Sequence, residues 1–121
     1  RRAVVFLLSD FLARPFLLEL AATAKRHDLI AVRVVDPAER RLPDAGLVAF
    51  EDAETGELIE VDTSDKAVRE AYARLAERRW DETLREFRRR KVDAISLSTD
   101  ADWIPSLRAF FESRERRLAA G

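Results

Sequence analysis

The sequence predicts an α/β fold: three layers, with a mostly parallel sheet, helices on its faces and a β-hairpin inserted in mid-chain. Three observations carry this prediction. Short, continuous apolar runs recur and end in polar residues. Segments of helical period separate them. One mid-chain pair of shorter runs flanks a glycine-bearing turn.

The first run is Ala3-Val4-Val5-Phe6-Leu7-Leu8, closed by Ser9-Asp10. It is too short for a helix and reads as a strand buried on both faces. In an open α/β sheet the working residues stand beyond the carboxyl ends of the strands, so Asp10 is the first candidate, with Ser9 beside it. A helical pattern follows through about Arg26, with Pro15 suited to a first turn and Phe16, Leu17, Leu20, Ala21 and Ala24 on one face. After His27-Asp28, Leu29 to Val35 forms a second strand, completing a right-handed βαβ unit that ends at Asp36-Pro37.

The middle of the chain is more polar. Pro37 to Gly46 reads as a loop, and Leu47 to Phe50 and Leu58 to Val61 as short strands around an acidic tip, Glu51 to Glu57. Gly56 supplies a positive φ near that turn. Thr63-Ser64-Asp65 offers N-caps for the longest helix, about Lys66 to Arg90, whose apolar stripe is Val68, Tyr72, Leu75, Ala76, Trp80, Leu84 and Phe87. Glu and Arg alternate on its remaining surface. Arg88-Arg89-Arg90-Lys91 suits the negative end of the helix dipole better than a nucleic-acid surface, because no aromatic or glycine residues interleave with it. Val92 to Leu97 is a third parallel strand, ending Ser98-Thr99-Asp100-Ala101-Asp102. Trp103 to about Arg117 is the closing helix, with Pro105 in its first turn and Leu107, Phe110 and Phe111 inward.

Composition narrows the chemistry. The 121 residues suit a single domain, and a net charge of −1 gives no bulk attraction to nucleic acid or anionic lipid. With no Cys, thiolate metal sites, disulfides and Cys nucleophiles are excluded. No apolar run approaches the ~20 residues that span a bilayer, so a cytoplasmic setting is expected. The start at Arg1-Arg2, without Met and almost within a strand, reads as a fragment of a longer chain.

Candidate site residues gather at the strand ends: Asp10, Asp36 and Asp100 with Asp102, beside Ser9, Ser98 and Thr99. Such hard oxygen ligands suit Mg²⁺, Mn²⁺ or Ca²⁺, and a Mg²⁺-dependent enzyme acting on phosphate esters is one reading. Helix capping and turn formation are the other use for each of them. The one histidine, His27, lies at the far end of a helix, which argues against Ser-His-Asp catalysis and His-based metal binding. Neither a P-loop nor a dinucleotide fingerprint is present, and no catalytic constellation emerges.

The motif order resembles a known family. Ala3 to Phe11, Arg26 to Pro37, Glu39 to Gly46, Asp52 to Glu57, Val61 to Ser64, Leu97 to Asp100 and Phe110-Phe111 together resemble the domain-of-unknown-function 58 family over essentially the whole chain. That family is similar to von Willebrand factor type A domains, which are doubly wound, Rossmann-like α/β folds. The resemblance implies a non-catalytic adaptor or co-chaperone that works with a MoxR-type AAA+ ATPase in assembling other proteins. Members often carry membrane-spanning segments ahead of this domain, which implies a parent protein at the inner face of the cell membrane.

In type A domains a metal-ion-dependent adhesion site joins a D-x-S-x-S loop, a later Thr and a later Asp. Ser9-Asp10 resembles that last element, so the resemblance carries over Asp10 alone. The chain has no D-x-S-x-S; Asp93 to Ser98 has the wrong spacing. The chain therefore resembles the C-terminal half of such a domain, with an incomplete metal site and Mg²⁺ expected only in the complete parent. In such a sheet the first strand would lie centrally. Cut out alone it becomes an apolar edge with unpaired backbone groups, so a homodimer or exchanged-element assembly is expected.

Overall fold

The computed structural model describes residues 1–12, 17–52 and 55–121; Pro15 and Phe16, expected in the first helix, and Ala53 and Glu54 of the acidic tip lie outside them. The described elements are β1 (Val4–Ser9), α1 (Leu17–Arg26), β2 (Asp28–Val35), α2 (Pro37–Arg40), β3 (Leu47–Glu51), β4 (Leu58–Asp62), α3 (Lys66–Arg89), β5 (Asp93–Ser98) and α4 (Trp103–Ala120). They make an α/β fold with a mostly parallel sheet, flanking helices and an antiparallel hairpin. Two compact units divide the chain, Arg1–Pro37 with Asp81–Gly121, and Ala38–Trp80.

The first unit holds a parallel sheet of order β1-β2-β5. Val4 is in register with Asp28, and Ser9 with Arg33; on the other side Ile30 is in register with Asp93, and Val35 with Ser98. The strand buried on both faces is β2, where Leu29, Ile30, Ala31, Val32 and Val35 are all core residues. This corrects the expectation that the first run is buried on both faces, while its place at an edge is the one expected of this chain taken alone. β1 is a sheet edge, and its alternate residues Val4, Phe6 and Leu8 are 55%, 48% and 65% exposed. Both runs are continuously apolar, and only their neighbours in space distinguish a central strand from an edge.

Helix α4 covers the sheet face that carries Phe6, Asp28 and Asp93. Phe111 meets Phe6 edge-on at 6.1 Å between ring centroids. Arg114, nearly buried, donates from Nη2 to Asp28 Oδ1 and from Nε to Asp93 Oδ2 at 2.9 Å, and Arg117 donates to Asp93 Oδ1 at 3.0 Å. One guanidinium thus bridges two neighbouring strands to the helix above them. Asp102 caps α4, its Oδ1 accepting the Ile104 N–H at 3.1 Å, and Pro105 falls in the first turn, where a missing N–H costs no helical bond. On the opposite face, α1 packs against β2 and buries Leu20; a right-handed crossover places it there.

The end of α3 anchors this unit. Phe87 is fully buried and meets Phe11 edge-on at 5.3 Å. The helix stops in a Schellman motif: the Val92 N–H donates to Phe87 C=O at 3.0 Å, the Lys91 N–H to Arg88 C=O at 3.1 Å, and Lys91 holds φ 56°. The buried pair Phe87 and Val92 supplies the apolar closure that accompanies this motif.

In the second unit β3 and β4 pair antiparallel, Leu47 with Asp62 and Glu51 with Leu58, within a residue of the expected bounds. Gly56 has the expected positive φ, 72°, and its N–H donates to Asp52 C=O at 2.7 Å. Thr63 ties the open end of the hairpin. Its buried hydroxyl accepts the Ala45 N–H at 3.0 Å and donates to Gly46 C=O at 2.7 Å. Arg69 reaches back to Thr63 and Ser64 carbonyls at 2.7 and 2.9 Å. Of the three offered caps, Asp65 caps α3, accepting the Ala67 N–H at 2.8 Å. The segment expected as loop after β2 begins with a helical turn, α2, which Pro37 opens in the position its ring favours. On α3, Leu75 of the expected apolar stripe is exposed, while Val68, Tyr72, Ala76, Trp80 and Leu84 are partly buried.

Candidate functional site

The strand ends place the candidate residues on one edge but do not make them converge. β1 and β5 lie on opposite sides of β2, so Asp10 and Asp100 begin about 10 Å apart laterally, twice the strand spacing. The ends are staggered as well, since Ser9 is level with Arg33 whereas Ser98 is level with Val35. Among the described residues no three His, Cys, Asp or Glu side chains form a group that could hold a metal ion. The shared site that a Mg²⁺-dependent enzyme requires of Asp10, Asp36 and Asp100 is therefore not assembled by these residues.

The ends of β1 and β5 are instead tied up locally. Ser9 Oγ accepts the Phe11 N–H at 3.0 Å, and Asp10 Oδ1 accepts the Leu12 N–H at 3.1 Å, so the two side chains fold the turn that follows β1. Phe11 occupies the left-handed region at φ 55° within that turn. Asp36 is exposed directly ahead of Pro37 and α2. Ser98 Oγ donates to Asp100 Oδ1, the exposed Thr99 donates its N–H to Val35 C=O at 3.0 Å, and Asp102 caps α4. His27 lies at the opposite end of the sheet, where its Nδ1 accepts the Ala3 N–H at 3.3 Å and helps hold β1 against β2.

Shifted ionisation is found at two other carboxyls, Asp62 and Glu86. The Ser64 hydroxyl and N–H hold Asp62 below the ordinary carboxylate range, and the Arg90 guanidinium does the same for Glu86. A further polar residue close to the edge is Arg33, which is not among the residues expected at the site. It is buried on the central strand and has an interaction partner; its neighbours in register are Ser9 and Ser96. The Ser96 hydroxyl is buried without a hydrogen-bond partner among the described residues. An arginine inside the run Leu-Ile-Ala-Val-Arg-Val-Val was the available signal, because a buried charge must be paired.

Comparison with known proteins matches residues 1–83 to the family described as Protein of unknown function DUF58. The chain belongs to this family. Uncharacterized protein MAV169 of Mycobacterium avium is 37% identical over 126 residues, a match that spans all of this chain and 72% of that protein. Uncharacterized protein Rv1480 of Mycobacterium tuberculosis and uncharacterized protein Mb1516 of Mycobacterium bovis are each 37% identical over 122 residues. The chain spans 38% of the length of those two relatives. No solved structure gives a significant match. The resemblance read from the motif order is thus a family membership, and the parallel sheet is what that reading implied for the fold.

Proposed function

We propose that this DUF58 chain is a non-catalytic interaction module, which works with a MoxR-type AAA+ ATPase as an adaptor in assembling a client protein. The AAA+ partner is what the family resemblance implies, and the non-catalytic part of the reading rests on the use made of the strand-end residues. Ser9, Asp10, Ser98 and Asp102 spend their polar atoms on turns and a helix cap rather than on a common centre. Apolar side chains meanwhile stand in the open: Val4, Phe6 and Leu8 on β1, and Phe50 with Ile59 as a cross-strand pair on the hairpin. Exposed apolar groupings of this kind suit protein recognition. The role of Asp10 as one ligand of an adhesion-type metal site, with Mg²⁺, belongs to the complete parent domain in this proposal.

The test is affinity capture of the full-length parent protein, paired with a binding assay between this chain and a purified MoxR-type ATPase from the same organism. The expected result is ATPase recovered in the capture and direct binding that does not need added Mg²⁺. Repeated capture without any AAA+ protein, together with no direct binding, overturns the proposal.

A further inference from the structure

We infer that one face of the β3–β4 hairpin docks a basic amphipathic helix of a partner protein. The inference rests on the interaction-module reading and deepens it by naming a surface and the chemistry it holds. Side chains alternate along each strand, so the ribbon has two different faces. The in-register apolar pairs Val48 with Val61 and Phe50 with Ile59 share one of them. The other carries Leu47, Ala49 and Glu51 opposite Asp62, Glu60 and Leu58. All six are exposed, Leu47 at 74% and Leu58 at 71%. Which residues share that face follows from the register of β3 on β4 alone.

Charge identifies the occupant. Residues 47–62 contain no Lys, Arg or His, and among the described residues Glu51, Glu60 and Asp62 make no ion pair. Glu60 and Asp62 alternate along one strand about 7 Å apart, and Glu51 lies diagonally from Glu60 at a similar distance, so like charges face one another without a counter-charge. A metal ion does not supply it, because among the described residues no three such side chains converge into a group that could hold one. Cations on separate arms do fit: Lys or Arg residues three and four apart on a helix stand about 5–6 Å from each other. Leu47 and Leu58, at opposite corners of the face, call for apolar side chains in the same segment, and the stems of Lys and Arg extend that cover. A two-stranded ribbon is stabilised when a further layer closes its open face, and a helix is such a layer. The same carboxylates repel nucleic acid and anionic lipid, which leaves a protein segment as the occupant.

The test titrates the full-length parent protein and this chain with a labelled amphipathic helical peptide of leucine and lysine, read by fluorescence anisotropy. Both are expected to bind it. Glu51→Lys with Glu60→Lys is expected to weaken binding about tenfold, and Leu47→Ser with Leu58→Ser by a similar factor. Glu51→Gln with Glu60→Gln keeps the side-chain shape and is expected to weaken binding about threefold, which answers the same question if the lysine variant unfolds. A peptide with glutamate in place of lysine is expected to bind the lysine variant and not the unaltered chain. Unchanged affinity in these variants overturns the inference. So does equal binding by a peptide with serine in place of leucine, which would be simple charge attraction, and so does binding by this chain but not by the full-length parent, where the face would then be covered. The two readings fail separately. A parent that binds the peptide through Glu51 and Glu60 yet captures no AAA+ protein overturns only the ATPase partnership.

Discussion

Lys91 and Phe11 share a backbone conformation that L-residues seldom adopt, and their side chains decide what replacement would do. Lys91 holds φ 56° at the C′ position of α3 and is exposed, so its side chain contributes little to packing. Lys91→Gly relieves the left-handed strain and should stabilise the protein by about 1 kcal/mol, read as a raised urea midpoint at unchanged m-value. Phe11 holds φ 55°, but its ring packs on the fully buried Phe87. Phe11→Gly should therefore destabilise, because losing an aromatic contact and its burial, about 2–3 kcal/mol, outweighs the relieved strain. Charge at this scale gives a pH dependence. Arg90 holds the Glu86 pKa below its ordinary value of 4.5, so the folded state binds this proton less readily than the unfolded chain. The stabilisation is fully present above the unfolded value and is lost as pH falls through the folded one. Glu86→Gln should flatten that part of an acid-unfolding profile; an unchanged profile would show that Arg90 does not act on Glu86 in solution.

At the scale of elements, two clamps of different chemistry hold helix and hairpin. Arg114 binds α4 to β2 and β5 through Asp28 and Asp93 in a largely buried position. Arg114→Ala leaves two carboxylates without their shared cation and should cost about 2–3 kcal/mol, with faster amide exchange in α4 than in β2. If exchange rose equally everywhere, the pair would be a general stabiliser and not a helix clamp. In the hairpin unit, Thr63→Val keeps the side-chain shape but strands the Ala45 N–H, which should cost about 1–3 kcal/mol; Thr63→Ser should recover most of that loss. Neither clamp was read from sequence. The helices and strands they join were, because apolar period, Asp65 and Asp102 as caps, Gly56 in the turn and Pro105 in a first turn are local signals. A clamp joins residues far apart in the chain, as Arg114 and Asp28 are, and leaves no such local pattern.

For the whole molecule, the parallel sheet and its β2 centre set the stability gradient. β2 is covered on both faces, while β1 and the β3–β4 hairpin are open on at least one side. The amides of β2 should be the slowest to exchange, opening only with global unfolding, and those of the hairpin should exchange through cheaper local opening. Hairpin amides as protected as those of β2 would contradict this ordering. The candidate site was legible only as a list of residues. Asp10, Asp36 and Asp100 do stand at strand ends, yet strand order and a two-residue stagger keep them from forming one centre.

By itself the sequence determined the elements other than α2, the parallel βαβ start, the hairpin and the family, since each rests on short-range pattern or motif order. The tertiary structure alone decided that β2, and not β1, is the strand buried on both faces. Ala3 to Leu8 and Leu29 to Val35 look alike as runs, but β2 has a partner on each side and β1 on one. It also decided that the oxygens at the ends of β1 and β5 serve turns and a cap. Those outcomes depend on pairing between distant segments, and an apolar run does not encode how many neighbours it will have.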